Sequence, residues 1–250
     1  LRPVPPVRPA GRGARPDAVR RHLPVQINRW MRVMPGLVLT LIETVLEAGG
    51  ATVSLPDGSH RMVYAASGDI TVTDRRNVVR LGEGMGCYCE GEVEVRAEAP
   101  SRIWTWQLGH GPADPDRLSG SEIRIERALE DLAPNGRYVL RLDRGYFPPG
   151  ATALTHVHPG PGIRMVKSGA INIQQNGESH WYKAGDVWFE RGPDPVLAPT
   201  TEEEATTFVR CLVLPEEWRG RNTISYVDPA DNERPKLQQY HRFIDTLIDV

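Results

Sequence analysis

The sequence predicts an all-β chain of two tandem barrel or sandwich lobes. Short apolar runs are punctuated throughout by Gly, Pro, Asn and Asp, the pattern of strands joined by tight turns. Helical periodicity is sparse. The chain also repeats itself at an offset that drifts upward from 100 residues: Gly50-Ala51-Thr52 returns as Gly150-Ala151-Thr152, Ser67-Gly68-Asp69-Ile70 as Ser168-Gly169-Ala170-Ile171, and Leu81-Gly82-Glu83 as Ala184-Gly185-Asp186. A period of that size marks a duplicated domain rather than a solenoid unit.

Residues 1–36 hold eight arginines, no lysine and one acid, Asp17, amid many prolines and glycines. They show no hydrophobic period and are expected to form a disordered arm. Residues 37–113 are assigned to the first lobe, and 104–108 (WTWQL) form its most aromatic strand. Residues 114–137 are expected to link the lobes. Within them 123–132 read either as a helix or as a strand that decays into a turn before Pro134-Asn135-Gly136.

Residues 138–215 make the second lobe. Ile171-Asn172-Ile173-Gln174 alternates as a half-buried strand does, and Asn176-Gly177 supplies a hairpin turn. Ala184-Gly185-Asp186 leads into the apolar strand Val187-Trp188-Phe189. Residues 216–250 form an extension whose apolar positions Tyr240, Phe243, Ile244, Leu247 and Ile248 are too many for an inert linker. It is expected to cover a sheet edge or a second subunit, with a homodimer as the assembly.

Charge and composition exclude several classes. Beyond residue 36 the chain carries 22 basic against 31 acidic residues, so no basic face for nucleic acid is expected. The apolar run 36–42 is far too short to span a bilayer and meets Glu43 at once. No secretory pattern is read near the start, and Cys87, Cys89 and Cys211 make no disulfide framework. A cytoplasmic protein with buried or half-buried thiols is the expectation.

The chemistry concentrates in residues 145–169, GYFPPGATALTHVHPGPGIRMVKSG. His156 and His158 stand one residue apart after a Pro-Pro-Gly turn. Side chains alternate along a strand, so both imidazoles leave one face and can converge.

Together the duplication and these residues resemble the cupin superfamily, specifically a bicupin of two jelly-roll barrels. That family's first motif is glycine, five residues, His-x-His, three or four residues, glutamate, six residues, glycine. Gly150, His156-Val157-His158, Gly162 and Gly169 match its spacing, and Gly185-Asp186-Val187 fits the opening of its second motif. Two departures follow. Gly162 stands at the motif's glutamate, and its third histidine falls on Pro195 or Val196. In the first copy the histidine positions fall near Pro56 and Gly58, so that lobe keeps none of the motif ligands.

The resemblance implies a small-molecule site in the second barrel, and an iron, manganese, nickel or zinc ion where three histidines and a carboxylate are complete. His156 and His158 are the candidate metal ligands, with His180, Glu190 or Asp194 as a possible third. Without a metal, the two imidazoles would bind a ligand directly. Arg164 begins the strand after the motif and suits an anion, since a guanidinium matches a carboxylate with two parallel hydrogen bonds. Arg61-Met62-Val63 repeats its Arg-Met-Val sequence in the first copy. Trp188 is added as a candidate ligand contact, although large aromatics in such lobes serve packing first. A protein that binds, or binds and transforms, a small anionic metabolite is the leading expectation. The alternatives are a noncatalytic sensor and a metal-assisted dioxygenase, isomerase or decarboxylase.

Overall fold

A computed structural model describes residues 36–47, 51–55, 60–114 and 120–250. The expected arm, save Gly36, and the positions near Pro56 and Gly58 lie outside the described residues. Two lobes of antiparallel strands follow one another. The first contains β1 (Leu37–Leu46), β2 (Ala51–Leu55), β3 (His60–Ser67), β4 (Ile70–Thr73), β5 (Val78–Leu81), β6 (Gly86–Glu90), β7 (Val93–Ala97), β8 (Ser101–His110) and β9 (Ser121–Ala128). Its two sheets run β6-β3-β8-β1-β9 and β2-β7-β4-β5.

The second lobe contains β10 (Arg137–Phe147), β11 (Thr152–Val157), β12 (Gly162–Ser168), β13 (Ala170–Gln175), β14 (Glu178–Lys183), β15 (Val187–Glu190), β16 (Val196–Pro199), β17 (Thr206–Pro215), β18 (Ser225–Tyr226) and β19 (Gln239–Asp249). Its sheets run β15-β12-β17-β10-β19 and β14-β13-β16-β11-β18. The duplication extends to detail. A β-bulge follows Leu41 where β1 meets β9, and one follows Leu142 where β10 meets β19.

The β6-β3-β8-β1-β9 sheet of the first lobe faces the β15-β12-β17-β10-β19 sheet of the second. Leu37, Leu39, Leu41, Met62, Trp104 and Trp106 pack there with Leu140, Leu142, Ile163, Met165, Val209 and Cys211. Sheets covered on both faces need apolar residues at successive positions, which is why β1 and β17 read as continuous runs rather than alternations. Trp106 is fully buried, and its Nε1 donates to the Ile163 carbonyl across the junction at 3.1 Å.

Two segments differ from their simplest sequence reading. Residues 121–128, inside the expected linker, form β9 and pair with β1 over almost its whole length. Every second residue of that stretch is polar or charged, and the helical alternative loses to an open sheet edge that needs partners. In the extension, β19 pairs with β10 as the outermost strand of its sheet. Buried Arg141 secures this segment: its Nε donates to Asp245 at 2.7 Å, and its two terminal nitrogens donate to the Arg221 and Trp218 carbonyls at 2.8 Å each.

At the predicted hairpin, Asn176 and Gly177 join β13 to β14 with φ of 55° and 81°. Positive φ at both central residues is the turn that Asn-Gly favours. Among the described residues no helix is long and apolar enough to cross a membrane.

Candidate functional site in the second barrel

The interiors of the two lobes are chemically opposite. The first is filled by Ile42, Val63, Ala65, Ile70, Val72, Val93 and Val95 among others. The second has an apolar half, with Phe147, Ile171, Trp188, Val196 and Phe208, and a charged half. One row across the sheet shows the exchange. In the second lobe Asp143 stands opposite Arg210, Arg210 opposite Arg164, and Arg164 opposite Trp188. The matching row of the first lobe reads Ile42, Thr105, Val63 and Cys87.

Arg61 is therefore not the counterpart of Arg164. It pairs with Cys89, as Gly162 pairs with Glu190, so the repeated Arg-Met-Val sequence is two residues out of structural register. Arg61 is buried and ties its own lobe together, donating to Gln107 Oε1 at 3.1 Å and to the Gly91 carbonyl.

Two ion pairs flank the chamber. Arg210 meets Asp143 through Nε at 2.6 Å and Nη2 at 3.2 Å. Arg164 reaches Glu190 Oε2 through Nη2 at 2.6 Å, while its Nη1 donates to the Gly162 carbonyl at 2.6 Å. All four charged groups are at most 5% exposed. Gly162 is part of the device: a Cβ there would meet the Cys211 carbonyl oxygen at 2.5 Å and Arg164 Nη1 at 3.2 Å. The glycine at the motif's glutamate position thus leaves space for a guanidinium, and the carboxylate comes from the neighbouring strand.

Glu190 is held further by Trp188 Nε1, which donates to its Oε1 at 2.7 Å. Trp188 thus lines the chamber and positions the carboxylate. The Tyr240 ring lies under the Arg210 guanidinium, 4.7 Å from its centre, a favourable cation–π contact.

His156 and His158 complete the cluster. Register breaks between Ala153 and His156 where β11 meets β16, so two residues of opposite parity, Ala153 and His156, both turn inward, as bulges allow. His158 follows two residues later on the same side. Both rings are 3% exposed and their Nε2 atoms lie 3.3 Å apart. Each Nδ1 faces a backbone carbonyl, Leu154 at 2.7 Å for His156 and Thr223 at 3.0 Å for His158. Arg210 Nη1 lies 3.3 Å from His158 Nε2, and Glu190 Oε2 lies 3.7 Å from the same nitrogen.

The electrostatics follow from burial. Burial lowers the His156 pKa, with Glu190 opposing it; burial, with Arg210 and Arg164 adding to it, holds His158 well below its usual value. Both rings are neutral at pH 7. Burial also brings Arg164 down to about 10, against the pull of Glu190. For Arg210 burial acts in the same direction, but the two-point contact with Asp143 outweighs it and the pKa rises. Burial pushes the Tyr240 hydroxyl up to about 12.

The other candidate ligands do not reach the cluster. His180 on β14 is 61% exposed at its side chain and lies 3.4 Å from Glu178. Asp194 contacts Arg191 outside the barrel. Among the described residues no group of three or more His, Cys, Asp or Glu is placed to hold a metal. The donor set fits a dication poorly on charge as well. The two Nε2 atoms converge as ligands would, but Glu190 is engaged by Arg164, and two guanidiniums stand where a third ligand and counter-charge are needed. The free space at the centre is about 10 Å³, room for roughly one water.

Sequence reasoning missed Asp143 and Arg210. Part of the signal was present: Arg210 interrupts the apolar run FVRCLVL of β17, whereas Asp143 is one of several charges in β10. A charge in a strand covered on both faces requires a buried partner.

No family model and no curated protein matches the chain. Solved structures do. An oxalate decarboxylase of Bacillus subtilis aligns over 80% of this chain and 73% of its own at 12% identity, with a TM-score of 0.57. AerE from Microcystis aeruginosa aligns over 74% of this chain and 95% of its own at 12% identity, with a TM-score of 0.51. A cupin 2 conserved barrel domain protein from Leptotrichia buccalis gives 14% identity over 72% and 84%, with a TM-score of 0.45. At such identities the likeness to the first two is one of architecture, and it agrees with the duplicated strand order: this chain carries the cupin fold twice in tandem.

Proposed function

We propose that the second barrel is a binding chamber for a small organic anion, held by Arg164, Arg210 and the imidazole pair without a metal ion. The observation that carries this reading is the row Asp143–Arg210–Arg164–Trp188, which sets two arginines on adjacent strands inside a barrel. Like charges directly opposite on a sheet are unfavourable, and the first lobe builds the same row without them. Both guanidiniums line one chamber, and N–H groups left over from their bonds to Asp143, His158, Gly162 and Glu190 suit a carboxylate. Of its five N–H donors, Arg164 uses Nη1 and Nη2 bonds to Gly162 and Glu190; its Nε makes no hydrogen bond among the described residues.

The chamber is nearly full, so entry requires a wall to move. Tyr240 sits on the edge strand β19 and lines both the chamber and an outer hollow of about 440 Å³ that includes Arg144, Tyr146 and His241. Rotation of its ring would join the two spaces. An edge strand is paired on one side only and gives way at lower cost than a central one.

One Bacillus subtilis oxalate decarboxylase structure is described as having Mn(II) centres. Comparable metal-dependent chemistry is not assigned to this chain, because its one carboxylate beside the histidines is already paired with a guanidinium. Calorimetry and thermal unfolding with a series of small carboxylates test the proposal, since a ligand that binds only the native state raises its stability. Carboxylates should raise the melting temperature of the wild type and not of Arg164→Met. An unchanged shift in that variant refutes the role of Arg164. Near-stoichiometric metal in protein purified without a histidine tag, lost in His156→Ala, would refute the metal-free reading.

A further inference from the structure

We propose that the anion is a 2-hydroxy acid, whose carboxylate accepts from Arg164 and Arg210 and whose hydroxyl donates to His156 Nε2. This rests on the reading of the chamber as an anion site and adds the class of anion. The Leu154 and Thr223 carbonyls, 2.7 and 3.0 Å from the two Nδ1 atoms, can only accept. Each Nδ1 therefore carries a proton. In a neutral imidazole the other nitrogen is then bare, and two buried rings with their Nε2 atoms 3.3 Å apart beside the Arg210 guanidinium have no place for a second proton.

Two bare Nε2 atoms thus face each other at 3.3 Å, and lone pairs cannot bond one another. Arg210 Nη1 serves His158. His156 Nε2 has no donor among the described residues. It is an acceptor without a proton to accept, in a chamber where Arg164 Nε is the guanidinium nitrogen without a hydrogen bond among the described residues. A ligand that satisfies this set must accept strongly on one side and donate once on the other.

Three small acids separate the possibilities. A plain carboxylate engages the guanidiniums and leaves His156 bare. An amino acid brings N–H donors but adds a third full cation beside two arginines. A hydroxyl next to the carboxylate donates to His156 and adds no charge. It is also close to water in size, matching the space of about 10 Å³ at the centre.

Glycolate, acetate and glycine share a carboxylate and differ in one substituent, so titration calorimetry near neutral pH on the full chain decides. Glycolate should bind about tenfold more tightly than acetate, the usual consequence of pairing a buried acceptor that is otherwise left bare. Glycine should bind most weakly. In His156→Leu, glycolate should fall to the level of acetate, whereas His156→Gln, which returns a carbonyl acceptor, should recover part of the preference.

Equal binding of glycolate and acetate by the wild type, or an undiminished preference in His156→Leu, overturns the proposal while leaving the anion site standing. If none of the three acids binds the wild type, the anion site itself fails and this inference with it. Should His156→Leu not fold, the comparison of the three acids on the wild type and His156→Gln still decides.

Discussion

Replacing the Arg164–Glu190 pair one partner at a time, then both together, tests the central electrostatic claim. Arg164→Met removes a guanidinium that is 1% exposed and leaves Glu190, 5% exposed, with only the Trp188 Nε1 contact. Glu190→Leu strands the guanidinium with the Gly162 carbonyl alone. Breaking a buried pair in this way costs about 3–5 kcal/mol, because one charge stays behind without compensation. Removing both charges leaves no buried charge behind, only the neutral Trp188 Nε1 donor without its acceptor, and the first lobe shows that this barrel accepts apolar or weakly polar side chains there: Val63 matches Arg164 and Cys89 matches Glu190. The double variant should therefore lie within about 1–2 kcal/mol of the wild type, giving a coupling energy of several kcal/mol. Urea unfolding of the four proteins, followed by tryptophan fluorescence and read from midpoints at matched slope, supplies the cycle. Additive single losses, with coupling under about 0.5 kcal/mol, would refute the claim that the pair is a closed and desolvated unit.

Two further outcomes follow from the same geometry. The folded-state pKa values of His156 and His158 are lowered from 6.5, so the unfolded chain binds more protons; their contribution is present above pH 6.5 and is lost as pH falls toward the folded values. Urea midpoints should drop between pH 7 and pH 5, and His158→Asn should make that slope shallower by up to one proton, about 1.4 kcal/mol per pH unit. Two residues before Asp143 on β10, Arg141→Ala removes three hydrogen bonds that tie residues 218–245 to that strand. It should cost about 3 kcal/mol and raise amide exchange in residues 216–250 well before it does so in β17.

The two lobes and their all-β make-up were legible because duplication and turn chemistry are local properties. Asn176-Gly177 dictates its hairpin without help from the rest of the chain, and the Ser-Gly pairs at 67–68 and 168–169 mark corresponding corners. The convergence of His156 and His158 was legible in part for the same reason, since two residues apart on a strand means one face. The bulge that turns His156 inward left no such mark. His180 and Asp194 misled because proximity to the motif along the chain says nothing about which side of a hairpin a residue takes. Arg61 misled differently: a three-residue match outweighed the pairing with Cys89, which no local sequence displays. Asp143 and Arg210 sit 67 residues apart and meet only when β10 and β17 pair. Only the oddity of a charge inside the apolar run of β17 pointed to one of them, Arg210.

The comparison between the lobes also bears on why the buried charges are present. Two explanations compete for a desolvated ion pair: that it stabilises the fold, or that it serves a site. Buried pairs are weak contributors to stability, and well-packed apolar replacements match or exceed them. Here the replacement exists within the same chain. Ile42, Thr105, Val63 and Cys87 occupy the row that Asp143, Arg210, Arg164 and Trp188 occupy in the other barrel, on the same strand order. The fold therefore does not need charge at those positions. What the charged row provides that the apolar one cannot is a set of fixed N–H donors and bare imidazole nitrogens around a space the size of a water molecule. Folding alone gives no reason to keep His156 Nε2 without a donor, and that nitrogen is where a bound hydroxyl makes the largest difference.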